Sequence, residues 1–285
     1  MAGILLRLSR IVLYLGLTLP LMPLQALFLA VGSPLARHLP RAYHRLCWRI
    51  LGFRVEVKGS PSPRHPTLFA ANHVSYTDIT ILAGIIRGSF IAKTEVAHWP
   101  LFGQLAQLQR TIFIDRRRRS AKAHEAAIAR RLASGEDLIL FPEGTSGDGT
   151  RVLPFKSALF GVAGLAPGGA RVTVQPVSIA YTALNGMPMG RAWRPLVAWY
   201  GDMELGSHLW AWLGLGTITV KIEFHAPLAA ADFASRKSLA EACRRAVAGG
   251  LAAALSGRET PTGDAAPRPL TAGPISTAET AAARV

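Results

Sequence analysis

The sequence predicts an α/β fold: a mixed, largely parallel sheet flanked by helices, with an N-terminal membrane-anchoring helix or hairpin. Three observations carry this expectation. Short, almost continuous apolar runs recur along the chain, each followed by a segment with helical spacing, which is the pattern of strands covered on both faces. The stretch Ile11–Val31 holds no charged residue. The composition is also unusual: 285 residues are 50% hydrophobic with a mean hydropathy of +0.26, yet 32 Lys and Arg against 17 Asp and Glu give a net charge of +15. That is too apolar for an ordinary soluble enzyme and too interrupted by charge for a transporter with many spans.

The elements follow in chain order. As a helix, Ile11–Val31 is about 30 Å long, the thickness of a bilayer core. Pro20 and Pro23 kink it or split it into a hairpin that enters one leaflet and returns. Arg7 and Arg10 precede the run, and Arg37, Arg41, Arg45 and Arg49 follow it. Basic flanks on both sides fit a re-entrant anchor with both ends cytoplasmic as well as a span; a secretory signal with "AVG" as its cleavage site is the alternative. "RAYHRLCWRI" then reads as a basic amphipathic helix, with Trp48 and Leu46 suited to a membrane interface.

After the turn cluster "SPSPRHP", strands are expected at "TLFAAN", "SFIAK", "TIFID", "DLILFPEG", "VTVQPVSIAY" and "TVKIEFHAP", with an earlier one at "FRVEVKG". Helices are expected near Asp78–Arg87, Trp99–Leu108, Arg119–Ser134 and Ala158–Ala166, and a last one at "SLAEACRRAVAGGLAAAL". This divides the chain into an anchor with its interfacial helix (1–50), an α/β domain (51–255) and a disordered tail (256–285) rich in Pro, Gly, Thr and Ala.

The excess of basic residues combined with high hydropathy points to an anionic bilayer surface, not to nucleic acid, since aromatics interleaved with the basic residues are scarce. Cys47 and Cys243 form no CxxC pair and argue against a disulfide framework. His65, His98, His124, His208 and His225 show no paired ligand spacing, so no metal is expected, and neither a Walker A loop nor GxGxxG occurs.

Chemistry gathers first at "NHVSYTD", Asn72–Asp78. His73 ends a buried strand and Asp78 lies near the start of the next helix, so the chain reversal can bring them together. An aspartate that accepts from one imidazole nitrogen fixes the tautomer and steadies the imidazolium. The other nitrogen can then take a proton from an alcohol. This is two-thirds of a serine-protease triad, the hydroxyl coming from a substrate. A structural His–Asp hydrogen bond is the competing reading. Ser75 has nothing like GxSxG around it and reads as a cap or turn residue.

Three further segments, "RTIFIDR", "LFPEGTS" and "VQPVSIAY", lie at or beside the carboxyl ends of expected strands, where open α/β sheets gather their ligands. In this order and spacing, over roughly Arg54–Pro227, the four segments resemble the glycerolipid acyltransferase family, which contains the 1-acylglycerol-3-phosphate acyltransferases. The resemblance implies direct transfer of an acyl group from a thioester, acyl-CoA or acyl-ACP, to the hydroxyl of a membrane lysolipid, with no other cofactor. It makes His73 the general base and Asp78 its orienter. The backbone of Gly144 and Thr145, or the Lys93 ammonium, would stabilise the oxyanion. Arg116 would contact the acceptor headgroup, Glu143 would bind or position, and Pro176 would shape the acyl or acceptor site. The protein would act at the cytoplasmic face of the inner (plasma) membrane.

For Lys93, Glu143 and the arginines that follow Arg116, a purely structural reading stays open. Arg117–Arg119 also fit a solvated face, Lys93 a strand-end surface residue, and Glu143 an incidental carboxylate. One departure bears on the acceptor. Many phosphatidate-forming members read FPEGTR, whereas this chain reads "FPEGTSGDGTR". Ser146 cannot supply a bidentate charged bond to phosphate, although Arg151 can loop back. The pattern "EGTSGDGTRVLPFKSALF" with "YGDMELGSHLWAWLGLG" looks like the branch that acylates lyso-ornithine lipid. Lysophosphatidate and lyso-ornithine lipid therefore both stand as acceptors, with the second favoured. A lipid hydrolase and a non-catalytic membrane-surface recruitment protein are the alternatives from other classes.

Overall fold

The computed structural model describes residues 2–114, 121–164 and 172–258. The chain opens with helices α1 (Ala2–Ala30) and α2 (Leu39–Leu51) and strands β1 (Phe53–Lys58) and β2 (Thr67–Ala71). Then come α3 (Thr77–Ala83), β3 (Gly88–Lys93), α4 (Phe102–Leu108), β4 (Ile112–Ile114), α5 (Ala121–Ala133) and β5 (Asp137–Leu140). The long strand β6 (Thr173–Leu184) and short β7 (Met187–Pro188) lead to α6 (Leu205–Leu213), β8 (Ile218–Phe224), β9 (Leu228–Ala229) and α7 (Arg236–Ser256).

The strands form one sheet in the order β1-β8-β6-β2-β5-β3-β4, with β7 and β9 added at β6. Along that path only the β6–β8 pairing is antiparallel. The mixed, largely parallel sheet expected from the sequence is therefore what forms. All five residues of β2 are buried, and its alternation feeds two cores. Phe69 packs with Ile81, Ile179 and Trp212 on one face; Leu68 packs with Leu138, Leu132 and Cys243 on the other. The first face is covered by α2, α3 and α6, the second by α5 and α7. Both cysteines are buried and free.

The N-terminal segment is a single helix; the hairpin alternative does not form, despite Pro20 and Pro23. Bonds to the domain along its length explain why. Arg10 donates to the carbonyls of Leu213 (3.0 Å), Leu215 (2.6 Å) and Gly216 (3.2 Å), Thr18 bonds Tyr43 (2.9 Å), and Gln25 donates to Ala36 (2.9 Å) and Leu108 (3.1 Å). Folding the segment back on itself would break one group of these. The helix is consequently inside out: its polar residues Arg10, Thr18 and Gln25 are buried, while Leu5, Val12, Leu13 and Leu27 are each more than half exposed. It is the one described helix long and apolar enough to cross a membrane, and an apolar outer face of this kind is a candidate anchor.

Other expectations are corrected in detail. Trp48 turns toward the domain: its indole donates to Thr80 O at 2.9 Å and lies over Gly84, where an added Cβ would come within 2.2 Å of the ring. The helix expected at Ala158–Ala166 is a 3-10 segment, Ser157–Gly164. Helix α6 was not expected, and Glu204 caps it by accepting from the amides of Gly206 and Ser207. Tyr43, Cys47 and Leu51 of α2 belong to the same core as the sheet, so the first fifty residues are packed against the domain they precede. The tail, from 259 onward, lies outside the described residues, and so do Arg116 to Arg119.

Candidate active site

Neighbouring parallel strands β2 and β5 end side by side, and the segments that follow them carry "NHVSYTD" and "FPEGTS". After β2 the chain turns tightly into α3, the Asp78 amide donating to Ser75 O at 3.0 Å. That turn places the Asp78 carboxylate beneath its own loop. Oδ2 accepts from His73 Nδ1 at 2.8 Å, from the Val74 amide at 2.6 Å and from the Ser75 amide at 3.0 Å. Oδ1 accepts from the Tyr181 hydroxyl at 2.7 Å, and Thr77 Oγ1 lies 2.6 Å from that hydroxyl. Asp78 is fully buried. Four donors around one carboxylate supply the compensation that burying a charge requires.

With Nδ1 held by Asp78, the proton on that nitrogen is fixed and Nε2 carries the lone pair. Nε2 has no hydrogen-bond partner among the described residues, and the His73 side chain is 20% exposed. The imidazole lies flat on Phe141, with ring centroids 4.1 Å apart and planes at 15°, and Phe90 continues the stack at 6.2 Å. The site thus holds an oriented imidazole with one open nitrogen.

Glu143 sits behind the imidazole. It is 3% exposed, and its two oxygens accept from the His73 amide (2.9 Å) and the Leu153 amide (3.0 Å). The Gly147 amide returns a bond to His73 O at 2.9 Å. The two motif loops are therefore laced together through Glu143, which acts as a positioning residue. Burial pushes its carboxyl up to about 7; the two amides pull it down, and the nearby Asp78 adds to the rise.

A pH dependence follows. A buried carboxyl raised in the folded state carries no penalty below the ordinary glutamate range and a growing one as pH climbs from there through about 7. The wild type should therefore lose stability relative to Glu143→Gln by roughly 3 kcal/mol between pH 4 and pH 8. Chemical denaturation of both proteins across that range checks it; parallel curves would refute the assignment.

The other expected site residues divide. Gly144 adopts φ +69° and its amide donates to Phe141 O at 3.0 Å, so that amide is committed to the turn and not to an oxyanion. A Cβ there would meet Lys156 Nζ at 2.6 Å, which with the left-handed backbone makes glycine the fitting residue. Thr145 is exposed and its amide makes no backbone bond among the described residues. Lys93 ends β3 on the same edge of the sheet, paired in register with Ile114 of β4. Pro176 is buried within β6 in register with Ala70, next to the carboxyl ends of β2 and β5, and its carbonyl accepts from the His225 amide at 3.0 Å. Its ring nitrogen faces that same side, at the break between β9 and β8, where no ladder donor is needed. Ser146 donates to Trp199 O, and the Trp199 amide donates to Val74 O at 3.0 Å, so this serine closes the loop onto the chain near Trp199. Ser75 makes its turn through the backbone, its hydroxyl having no partner among the described residues.

Sequence reasoning missed Phe141, Tyr181 and Lys156 as parts of the site. The only signals were that Phe141 precedes "PEGT" and that Tyr181 ends "VSIAY". It also missed an apolar cavity of about 460 Å³ lined by residues of α1, α2, α3, α4 and α6. Tyr76 and Thr77 line it one turn from the His–Asp pair, and Phe90 lines it at the end of the ring stack that begins at His73. Among the described residues no cluster of His, Cys, Asp or Glu is arranged to hold a metal.

Comparison with known proteins gives the following. The family described as "Acyltransferase" matches residues 54–180. A lyso-ornithine lipid O-acyltransferase of Brucella abortus is 46% identical over 250 residues, covering 86% of this chain and 94% of the relative. One of Rhizobium meliloti is 41% identical, covering 88% of each. A 1-acyl-sn-glycerol-3-phosphate acyltransferase of Neisseria gonorrhoeae is 36% identical over 184 residues, covering 64% of this chain and 68% of the relative. In fold, the chain is similar to the crystal structure of the 1-acyl-sn-glycerophosphate (LPA) acyltransferase PlsC from Thermotoga maritima, with a TM-score of 0.64 at 23% identity over 91% of this chain and all of that one.

Proposed function

Since the chain belongs to the acyltransferase family and is an enzyme that acylates lysolipids, we propose that it moves a fatty acyl group from acyl-ACP or acyl-CoA to the hydroxyl of lyso-ornithine lipid, with His73 as general base. The observation that carries this reading is the open Nε2 of an imidazole whose Nδ1 is held 2.8 Å from a buried carboxylate.

The steps follow from that geometry. Nε2 takes the proton of the acceptor hydroxyl as its oxygen attacks the thioester carbonyl, and a C–O bond forms. Asp78 stabilises the imidazolium, as the acid of a triad does. The tetrahedral oxyanion collapses, the C–S bond breaks, and the departing thiolate takes the proton back from His73. The products are an ester and a free thiol. The exposed Thr145 amide and Lys93 are the candidate oxyanion donors. The apolar cavity beside Tyr76 and Thr77 takes the fatty chain of the thioester.

The outer face of α1 supports a one-leaflet anchor. The domain grips this helix from Arg10 to Gln25, so it lies along the protein and immerses its apolar side without crossing the bilayer. Its basic surroundings suit the anionic cytoplasmic face of the inner membrane.

For the acceptor, the relatives with high coverage and the loop at Ser146 favour lyso-ornithine lipid. The Ser146 hydroxyl is engaged with Trp199 O and offers nothing to a phosphate. Next to it, Asp148 lies within electrostatic reach of Arg151 and Arg191. A carboxylate among guanidinium groups matches a headgroup bearing both an ammonium and a carboxylate better than it matches a phosphate dianion.

Offering lyso-ornithine lipid and lysophosphatidate side by side to the purified full-length protein, with acyl-ACP and with acyl-CoA, tests the reading. The expected result is at least tenfold faster acylation of lyso-ornithine lipid. Preference for lysophosphatidate would refute the acceptor while leaving the transfer. Fatty acid released at the same rate with and without acceptor would refute transfer in favour of hydrolysis.

A further inference from the structure

Lys156 carries a charge that the transfer steps leave unused. The segment 147–156 runs from one motif loop to the other. It starts on the first: the Gly147 amide donates to His73 O at 2.9 Å, and a Cβ on Gly149 would lie 3.0 Å from Val74 Cγ1. It ends on the second: the Leu153 amide donates to Glu143 Oε2 at 3.0 Å, and the Lys156 amide to Pro142 O at 2.9 Å. Asp148, the centre of the acceptor cluster, stands at the beginning of this run and Lys156 at its end. From there the lysine side chain reaches across the turn. A Cβ on Gly144 would lie 2.6 Å from its Nζ, so the ammonium is held over the motif glycine itself. The residue is exposed and makes no hydrogen bond or ion pair among the described residues.

A second cation follows. Lys156 leads into the 3-10 segment Ser157–Gly164, and the Arg236 guanidinium lies against that segment, with Nη1 3.8 Å from where a Cβ on Gly161 would stand. At about 2 Å per residue this puts Arg236 roughly 10 Å along from Lys156. Arg236 and Lys237 occupy the first turn of α7, which holds no acidic residue. Cations at that end oppose the helix dipole, a cost that a bound anion offsets. Arg236 is likewise exposed and unpaired among the described residues.

The side of the sheet decides where such an anion comes from. Phe160 of the 3-10 segment and Leu239 of α7 pack in the core that holds Leu138, whereas Ile11 and Leu21 of α1 pack in the other. The two cations therefore belong to the face that α1 does not cover, and a bilayer met through α1 does not bring lipid to them. Their anion arrives from water. In the transfer chemistry that reactant is the thioester donor, whose pantetheine arm carries a phosphate at its far end whether the carrier is coenzyme A or a carrier protein. A compact ammonium on a flexible stem binds phosphate as a point charge.

We propose that Lys156 receives the phosphate of the pantetheine arm and that Arg236 receives the next negative charge of the carrier beyond it. The inference rests on the acyl-transfer reading above and deepens it by naming the part of the donor that the protein reads.

The test gives the full-length protein, with lyso-ornithine lipid as acceptor, one acyl chain on four donors: pantetheine, phosphopantetheine, coenzyme A and acyl carrier protein. The expected result is a kcat/KM about tenfold higher for acyl-phosphopantetheine than for acyl-pantetheine. Lys156→Gln should bring that ratio to about one, and Lys156→Arg should keep most of it. Arg236→Gln should lower the ratio of a full carrier to acyl-phosphopantetheine several-fold, and the carrier on which it does so is the one that the two cations serve. Equal use of the bare and phosphorylated arms by the wild type would overturn the phosphate seat. So would Lys156→Gln slowing every donor alike, which leaves the ratio standing and puts the lysine at the reacting centre or in the fold. No loss on either carrier in Arg236→Gln would overturn the part given to Arg236. Absence of transfer from all four donors in the wild type would instead defeat the acyl-transfer reading, and the seat with it.

Discussion

Replacing His73 with alanine should bring acyl transfer to background while leaving the fold and membrane association intact. The ring is the one described group at the site with an oriented, unpartnered lone pair, and nothing within its reach can substitute for it. Removing a general base of this kind costs about 10²–10⁴-fold in rate. In the proposed mechanism His73 also serves as the acid for the departing thiolate, so the upper end is expected. The structural loss is small: one ring face stacked on Phe141 and one hydrogen bond from a partly exposed side chain, about 1 kcal/mol. The measurement is single-turnover transfer alongside thermal unfolding in the same detergent. A variant that folds, binds vesicles and still transfers within tenfold of wild type would remove His73 from the mechanism.

Asp78 should show a larger combined effect, and two substitutions separate its roles. In Asp78→Asn the three donors meeting at Oδ2 force the amide oxygen into that place, so the Val74 and Ser75 amides and the imidazole keep their acceptor. The new NH₂ then faces Tyr181, whose hydroxyl can turn to Thr77. The fold and the His73 tautomer survive, but the charge that steadies the imidazolium is gone. Turnover should fall about 10²-fold or more with little change in KM.

In Asp78→Ala the loop also loses its anchor, and the two buried amides of Val74 and Ser75 are left unpaired, while the Tyr181 hydroxyl keeps Thr77. Each costs about 1–3 kcal/mol, so the variant should be several kcal/mol less stable as well as inactive. Equal stability of the two variants in denaturant titrations would show that Asp78 does not hold the loop.

The contrast between these residues and the rest of the site shows how far a sequence can be read. His73 and Asp78 are five residues apart, and a strand end followed by a helix start leaves them few ways not to meet. Their pairing was legible for that reason. Glu143 is 70 residues from His73, and its choice between touching a substrate and holding a backbone amide depended on β2 and β5 being neighbours in register. Gly144 and Pro176 carried motif signatures, yet one spends its amide on its own turn and the other sits inside the sheet. Motif membership marks a position as constrained without saying by what. Helix α6 was invisible because a nine-residue segment with two tryptophans has no clear amphipathic period; its partners, α1 and Phe53, define its buried face.

By itself the sequence determined the layer architecture, the pairing of imidazole and carboxylate, and the presence of an N-terminal helix with a long charge-free run. Each of these is written in local spacing: the alternation of strands, a five-residue step, an uninterrupted apolar run. Only the tertiary structure decided that this helix is one piece with its polar side turned inward, that Glu143 laces the two motif loops, and that five helices line one apolar cavity. Those outcomes depend on which distant carbonyls and rings come within about 3–4 Å of each other, the range over which hydrogen bonds and packing act. No periodicity along the chain encodes that range.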